Sequence, residues 1–229
     1  MKQRLKINGL LMSLAACLVI IFPGFFLRFN SSNPINNICE LFGFALVLFG
    51  LLLRVSARGY KSESSKEGYA LVSGAPYKFT RNPMYLGIML IGVGLVLALF
   101  KYWVNAVFIL IFIARYISLI FTEEKRLVKQ FGQSYRDYLQ SAPRIFFRVN
   151  TLITKDIREV LPLKLSWVNK EIGSVIGFIL GLLLIVSGKD IYISGFRVYL
   201  KELAGFLLLL GLFFILALYL SRNGKKEKS

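Results

Sequence analysis

Long apolar runs alternate with short basic stretches along this chain, and the runs lack the polar face that a helix of a soluble domain carries. Six of them are candidates for crossing a bilayer: Leu10 to Leu27, Ile38 to Leu53, Met84 to Phe100, Tyr102 to Phe121, Ile172 to Val186 and Leu200 to Leu220. A full crossing needs about 20 residues, so the short run Ile172 to Val186 reads as a half-span or a tilted re-entrant helix. Lys101 stands alone between two runs and can snorkel from a tight turn, which makes 84 to 121 a helical hairpin. Beyond it Leu127, Val128, Phe131, Tyr135, Tyr138 and Leu139 recur at helical spacing, with Gly132 marking a kink or break. The pattern predicts an all-α, polytopic helical membrane protein with about six transmembrane helices.

Composition agrees: 56% of residues are hydrophobic and the mean hydropathy is +0.62. Charge adds orientation. Lys2, Arg4 and Lys6 precede the first run, and Arg54, Arg58, Lys61, Lys66, Lys78 and Arg81 lie between the second and third. Residues 125 to 170 and the tail from Arg222 to Lys228 hold most of the other cations, whereas the alternate loops hold only Arg28, Lys101, Lys189, Arg197 and Lys201. Basic residues favour the cytosolic side, which puts both termini and both large polar segments in the cytosol, in a bacterial inner membrane or another membrane facing cytoplasm. The net charge of +17 is then a topology signal, with attraction to anionic lipid as a second effect. Nucleic-acid binding is excluded on the same ground, because the cations abut spans and form no separate basic domain.

Chemistry is narrowed by what is missing. There is no histidine, and Cys17 and Cys39 sit in apolar runs without metal-ligand spacing, so no metal site is expected and Ser-His catalysis is out. Met1 to Pro23 has a basic start and an apolar middle, but Phe25, Phe26 and Arg28 stand where a cleavage site would need small residues. It reads as a retained first span.

The polar segment Leu71-Val72-Ser73-Gly74-Ala75-Pro76-Tyr77-Lys78-Phe79-Thr80-Arg81-Asn82-Pro83-Met84-Tyr85-Leu86-Gly87 is wedged between apolar runs, where irregular backbone and charge persist only if buried in protein or lining a wet cavity. A hairpin follows, then Glu123-Glu124-Lys125-Arg126-Leu127, Phe131-Gly132-Gln133-Ser134-Tyr135-Arg136-Asp137-Tyr138 and Ala142-Pro143-Arg144. In order, spacing and membrane context this set resembles the isoprenylcysteine carboxyl methyltransferase and phospholipid methyltransferase superfamily over roughly residues 40 to 147.

The resemblance implies an integral membrane enzyme that moves a methyl group from S-adenosylmethionine, held in a cytoplasmic cofactor pocket, to an apolar acceptor entering from the bilayer. Residues matching the family's cofactor positions are Tyr69, Ala70, Leu71, Val72, Tyr77, Asn82, Pro83, Met84, Tyr85 and Glu123, with Arg81, Asn82 and Glu123 as catalytic candidates. On this reading 1–37 is an N-terminal transmembrane anchor, 38–147 the methyltransferase core, and 148–229 an interfacial segment with two further membrane helices.

Two positions depart from the family pattern. Asn82 replaces the histidine that many relatives carry after the arginine, and it cannot titrate near neutrality. Leu119 occupies the place of the substrate-binding arginine of isoprenylcysteine carboxyl methyltransferases; Arg115, one turn earlier, is the candidate substitute and substrate residue. The expected acceptor is a lipid or lipid-modified molecule. A carboxylate needs no general base, which slightly favours carboxyl O-methylation over a phospholipid amine that must first lose a proton. Arg81 has a bland alternative role as the ion-pair partner of Glu123 or Glu124, and Glu124 itself reads as a helix-end or ion-pair residue. Competing classes are a sterol-type membrane reductase using NADPH, for which no phosphate-binding constellation is evident, and a non-catalytic membrane adaptor. The oligomeric state is not legible.

Overall fold

The computed structural model describes residues 14, 17–19, 21–28, 33–65, 70–148, 154–194 and 196–221. Its helices are α1 (Pro23–Phe26), α2 (Pro34–Ser64), α3 (Pro83–Leu99), α4 (Tyr102–Phe131), α5 (Gln133–Ser141), α6 (Ile157–Val160), α7 (Leu165–Ser194) and α8 (Phe196–Ser221), with no strand among the described residues. The first predicted run, Leu10 to Leu27, is described only in part, and the tail after 221 lies outside the described residues.

Among the described residues three helices are long and apolar enough to cross a membrane: α2, α4 and the Leu203–Ser221 part of α8; α3 is apolar but shorter. Two helices are longer than their apolar runs. The run Ile172 to Val186 is the middle of α7, a 30-residue helix. The span ending at Leu53 continues as helix to Ser64, because Val55, Ser56, Ala57 and Gly59 keep a buried face while Arg58 and Lys61 turn outward.

The centre of the fold is the α2–α3 pair. Glycines let the two backbones touch: a Cβ on Gly43 would lie 2.5 Å from the Gly94 carbonyl oxygen, and one on Gly50 would lie 2.6 Å from that of Gly87. Val47, Leu51, Leu52, Leu53, Leu86, Ala98 and Leu99 fill the rest of this interface, and Phe213, Ala217 and Leu220 of α8 join the same buried cluster. The α3–α4 hairpin turns at Phe100 and Lys101, as expected from the isolated lysine, whose Nζ donates to the Gly24 carbonyl at 2.6 Å. Arg28 closes this end. Its buried guanidinium donates to the carbonyls of Leu97 at 3.0 Å and Phe100 at 2.9 Å, satisfying acceptors that the end of α3 leaves free.

At the other end α4 runs unbroken from its apolar half into the charged half and stops at Gly132, whose φ of 57° is open to glycine at little cost. The expected break is therefore observed, and it turns α5 back towards the loop between α2 and α3.

Candidate active site at the polar end of the hairpin

The loop before α3 is stitched to the segment after α5. The Arg81 backbone N–H donates to the Pro143 carbonyl at 2.9 Å, the Thr80 hydroxyl to that of Ile145 at 2.6 Å, and the Asn82 side-chain amide to that of Arg144 at 2.9 Å. This pairing fixes where Arg81 points. Its guanidinium, 8% exposed, meets Glu124 at 3.3 Å and donates to the Leu139 carbonyl, while Arg144 approaches the same carboxylate at 3.1 Å and lies over the Phe121 ring. The buried Arg81–Glu124 pair and the exposed Arg144 put two cations on one anion, so the cluster holds a surplus positive charge. Its geometry also leaves the buried Arg81 Nε without a hydrogen-bond partner.

Glu123, next in sequence but about 100° around the helix, faces elsewhere and pairs with Arg126. A cleft of about 150 Å³ brings Glu123 of α4 and Arg81 of the loop together with the end of α2 and with α5. Ala70, Leu71 and Val72 supply one wall, Lys61 and Ser65 come from the end of α2, and Tyr77, Phe131, Tyr135 and Tyr138 supply aromatic surface. Leu127 and Gln130 of α4 complete it. Tyr138 is shared with a second, more open groove lined by Ser73, Lys78, Phe79, Ser141, Pro143 and Arg148.

Two of the three tyrosine hydroxyls are committed to backbone. That of Tyr77 donates to the Ala57 carbonyl at 3.2 Å, and that of Tyr138 to the Tyr77 carbonyl at 2.7 Å. Both residues, with their hydroxyls so engaged, line the cleft with ring surface. Burial, reinforced by the negative charge of Glu124, pushes the Tyr135 phenol up to about 12, and burial raises Tyr77 and Tyr138 as well. All three rings are neutral at physiological pH.

The sequence-derived residues sort into three groups. Ala70, Leu71, Val72, Tyr77, Arg81 and Glu123 converge on one cleft although they come from two distant stretches of chain. Asn82, Pro83, Met84 and Tyr85 do not line it: Asn82 is a buried tie to Arg144, Pro83 is buried at the start of α3, Met84 packs into the tyrosine cluster, and Tyr85 lies edge-on to Tyr116 at 6.0 Å. Arg115 is exposed on α4 and outside the lining, and Tyr69 lies outside the described residues. Lys61, Ser65, Gln130, Phe131, Tyr135 and Tyr138 were not among the sequence-derived site residues. The two tyrosines could have been found, since they stand in the motif after Gly132.

Fold and site together define an all-α membrane protein whose polar rim encloses a cleft that is aromatic on one side and charged on the other. Residues 38–134 are similar to the model of the phospholipid methyltransferase family, one of the isoprenylcysteine and phospholipid methyltransferase superfamily. The match takes in α2, α3 and α4 and thus most of the cleft. No curated protein and no solved structure matches the chain.

Proposed function

We propose that this chain is an S-adenosylmethionine-dependent methyltransferase acting on a lipid or lipid-modified acceptor, with the cleft between Arg81 and Glu123 as the donor site. The observation that carries this reading is the convergence of Ala70–Val72, Tyr77, Arg81 and Glu123 on one cleft at the end of an apolar hairpin. S-adenosylmethionine, when bound, supplies a methyl group on a sulfonium whose positive charge disappears as the methyl leaves.

The residues suit that molecule. Arg81, which lines the cleft within a cluster of two cations and one anion, is a donor for a carboxylate. Glu123 can accept from an ammonium or from ribose hydroxyls, and Arg126 beside it offsets its charge. That offset matters, because a bare carboxylate would hold the sulfonium more tightly than the neutral product and raise the barrier. The neutral rings of Tyr77, Tyr135, Tyr138 and Phe131 offer faces to adenine or to the cation and keep water out. Asn82 acts by holding the loop that aims Arg81. Catalysis is alignment within a dry site, with no covalent enzyme intermediate.

Arg115 is the candidate contact for an acidic part of the acceptor. Among the described residues no neutral base lines the cleft, since Lys61, Arg81 and Arg126 are cations and Glu123 is paired; this favours a carboxylate, nucleophilic as it stands. The family match favours a second reading, a phospholipid amine. Incubating membranes that contain the protein with methyl-labelled donor separates them. Label released by mild alkali marks an ester, and alkali-stable label in the lipid fraction marks an amine. Absence of any label, or NADPH oxidation in its place, would sink the proposal. Both termini are assigned to the cytosol, which protease accessibility of tags in sealed vesicles tests.

A further inference from the structure

Trp167 lies beyond the residues that match the family, yet it is 2% exposed and packs on Gly59, Tyr60 and Glu63 at the polar end of α2. We infer that the segment Leu161 to Trp167 holds one wall of the donor site in place, with Trp167 and Tyr60 as positioning residues; this rests on the cleft being a donor site.

The segment is clamped to the polar end of α2. The Ser56 hydroxyl donates to the Pro162 carbonyl at 2.5 Å, and Leu161 and Leu163 are buried to 1% and 2%. Trp167 Nε1 donates to Glu63 at 2.6 Å, and Lys164 Nζ meets the same carboxylate at 2.5 Å. The contact is close enough that a Cβ on Gly59 would collide with the indole. Lys61 and Ser65, which line the cleft, are on the same turns of α2 that this clamp fixes.

Aromatic packing carries the support onward. Tyr60 lies edge-on to Trp167 at 6.4 Å and tilted against Tyr77 at 6.4 Å. Its hydroxyl fills the space beside Gly74, where a Cβ would collide with it. Tyr77 is in turn tied to Ala57 through its hydroxyl and to Tyr138 through its carbonyl. Packed rings change place in discrete steps, so a void at Trp167 releases Tyr60 and with it the Gly74–Tyr77 turn.

The test reads affinity and a local spectroscopic signal, which a role limited to stability would leave unmoved. The chain has two tryptophans, and Trp103 packs on Phe25 at the opposite end of the hairpin. In a Trp103→Phe chain, titration with S-adenosylhomocysteine should change Trp167 emission saturably, with the same midpoint as the heat measured by calorimetry. Gly74→Ala should weaken binding about tenfold or more, and adding Tyr60→Phe, which removes the colliding hydroxyl, should recover part of the loss. A silent Trp167 alongside full calorimetric binding, or a Gly74→Ala chain that binds like the unaltered one, overturns the inference. No heat from the unaltered chain overturns the donor-site reading itself, and this inference with it.

Discussion

The glycines of α2 and α3 and those of α7 and α8 are alike in sequence and opposite in surroundings. Gly43, Gly50, Gly87 and Gly94 each touch backbone of the facing helix, whereas nothing lies within 4 Å of the Cβ position at Gly173, Gly177, Gly181, Gly205 or Gly211. In a bilayer the surrounding lipid is as apolar as the side chains, so close backbone approach and van der Waals contact hold helices together. The α2–α3 pair is therefore the rigid beam from which the loop carrying Arg81 hangs. The outer faces of α7 and α8 leave Ile176, Leu180, Leu207, Leu208 and Ile215 exposed. Among the described residues, the short clamp at Trp167 ties the C-terminal region to the cleft end of α2.

Substitutions can break this contrast in graded steps. Arg81→Met removes one cation from a buried carboxylate and cuts the tie to Leu139; a loss of about 3 kcal/mol is expected for breaking a buried pair, read from unfolding in detergent and accompanied by loss of donor binding. Gly94→Ala drives a methyl group into backbone and should cost about 1–3 kcal/mol, with Gly43→Ala similar. Gly177→Ala on α7, by contrast, should stay within about 0.5 kcal/mol. A cost at Gly177 equal to that at Gly94 would erase the distinction between the two regions.

Tyr135 offers a sharper probe of the rim alone. Its folded value of about 12 exceeds the ordinary 10.0, so its contribution is complete below pH 10 and falls away as pH rises towards 12, where the unfolded chain ionises first. Melting temperature should decline over that interval, and Tyr135→Phe should flatten the decline. The smallest effect is expected at Glu123→Gln. The residue is partly exposed and its ion pair contributes little to stability, so melting should barely move while donor affinity drops.

Much of the fold could be read from hydropathy because spans obey one rule: they are apolar for as long as lipid surrounds them. The turn at Lys101 and the break at Gly132 were legible for equally local reasons, a lone charge between apolar runs and a residue that tolerates positive φ. The extension of α2 to Ser64 was hidden, because Arg54, Arg58 and Lys61 end the hydropathy run while the helical face of Val55, Ala57 and Gly59 goes on. At the site, Glu124 was correctly read as an ion-pair residue and Arg81 as its possible partner. What sequence could not supply was the far end of each contact. Asn82 reaches a backbone carbonyl 62 residues away, and Trp167 reaches Glu63 across 104 residues. Loops of that length leave no trace in spacing. Tyr135 and Tyr138 gave a helical period that marks a buried face and says nothing about whether a core or a cleft covers it.

The central claim is that the cleft between Arg81 and Glu123 holds a methyl donor. Calorimetric titration of the detergent-purified, full-length chain with S-adenosylmethionine tests it most directly. The account predicts saturable one-site binding that Glu123→Gln weakens without a matching loss of melting temperature. Flat heats with S-adenosylmethionine, or saturable binding of NADPH alone, would contradict it.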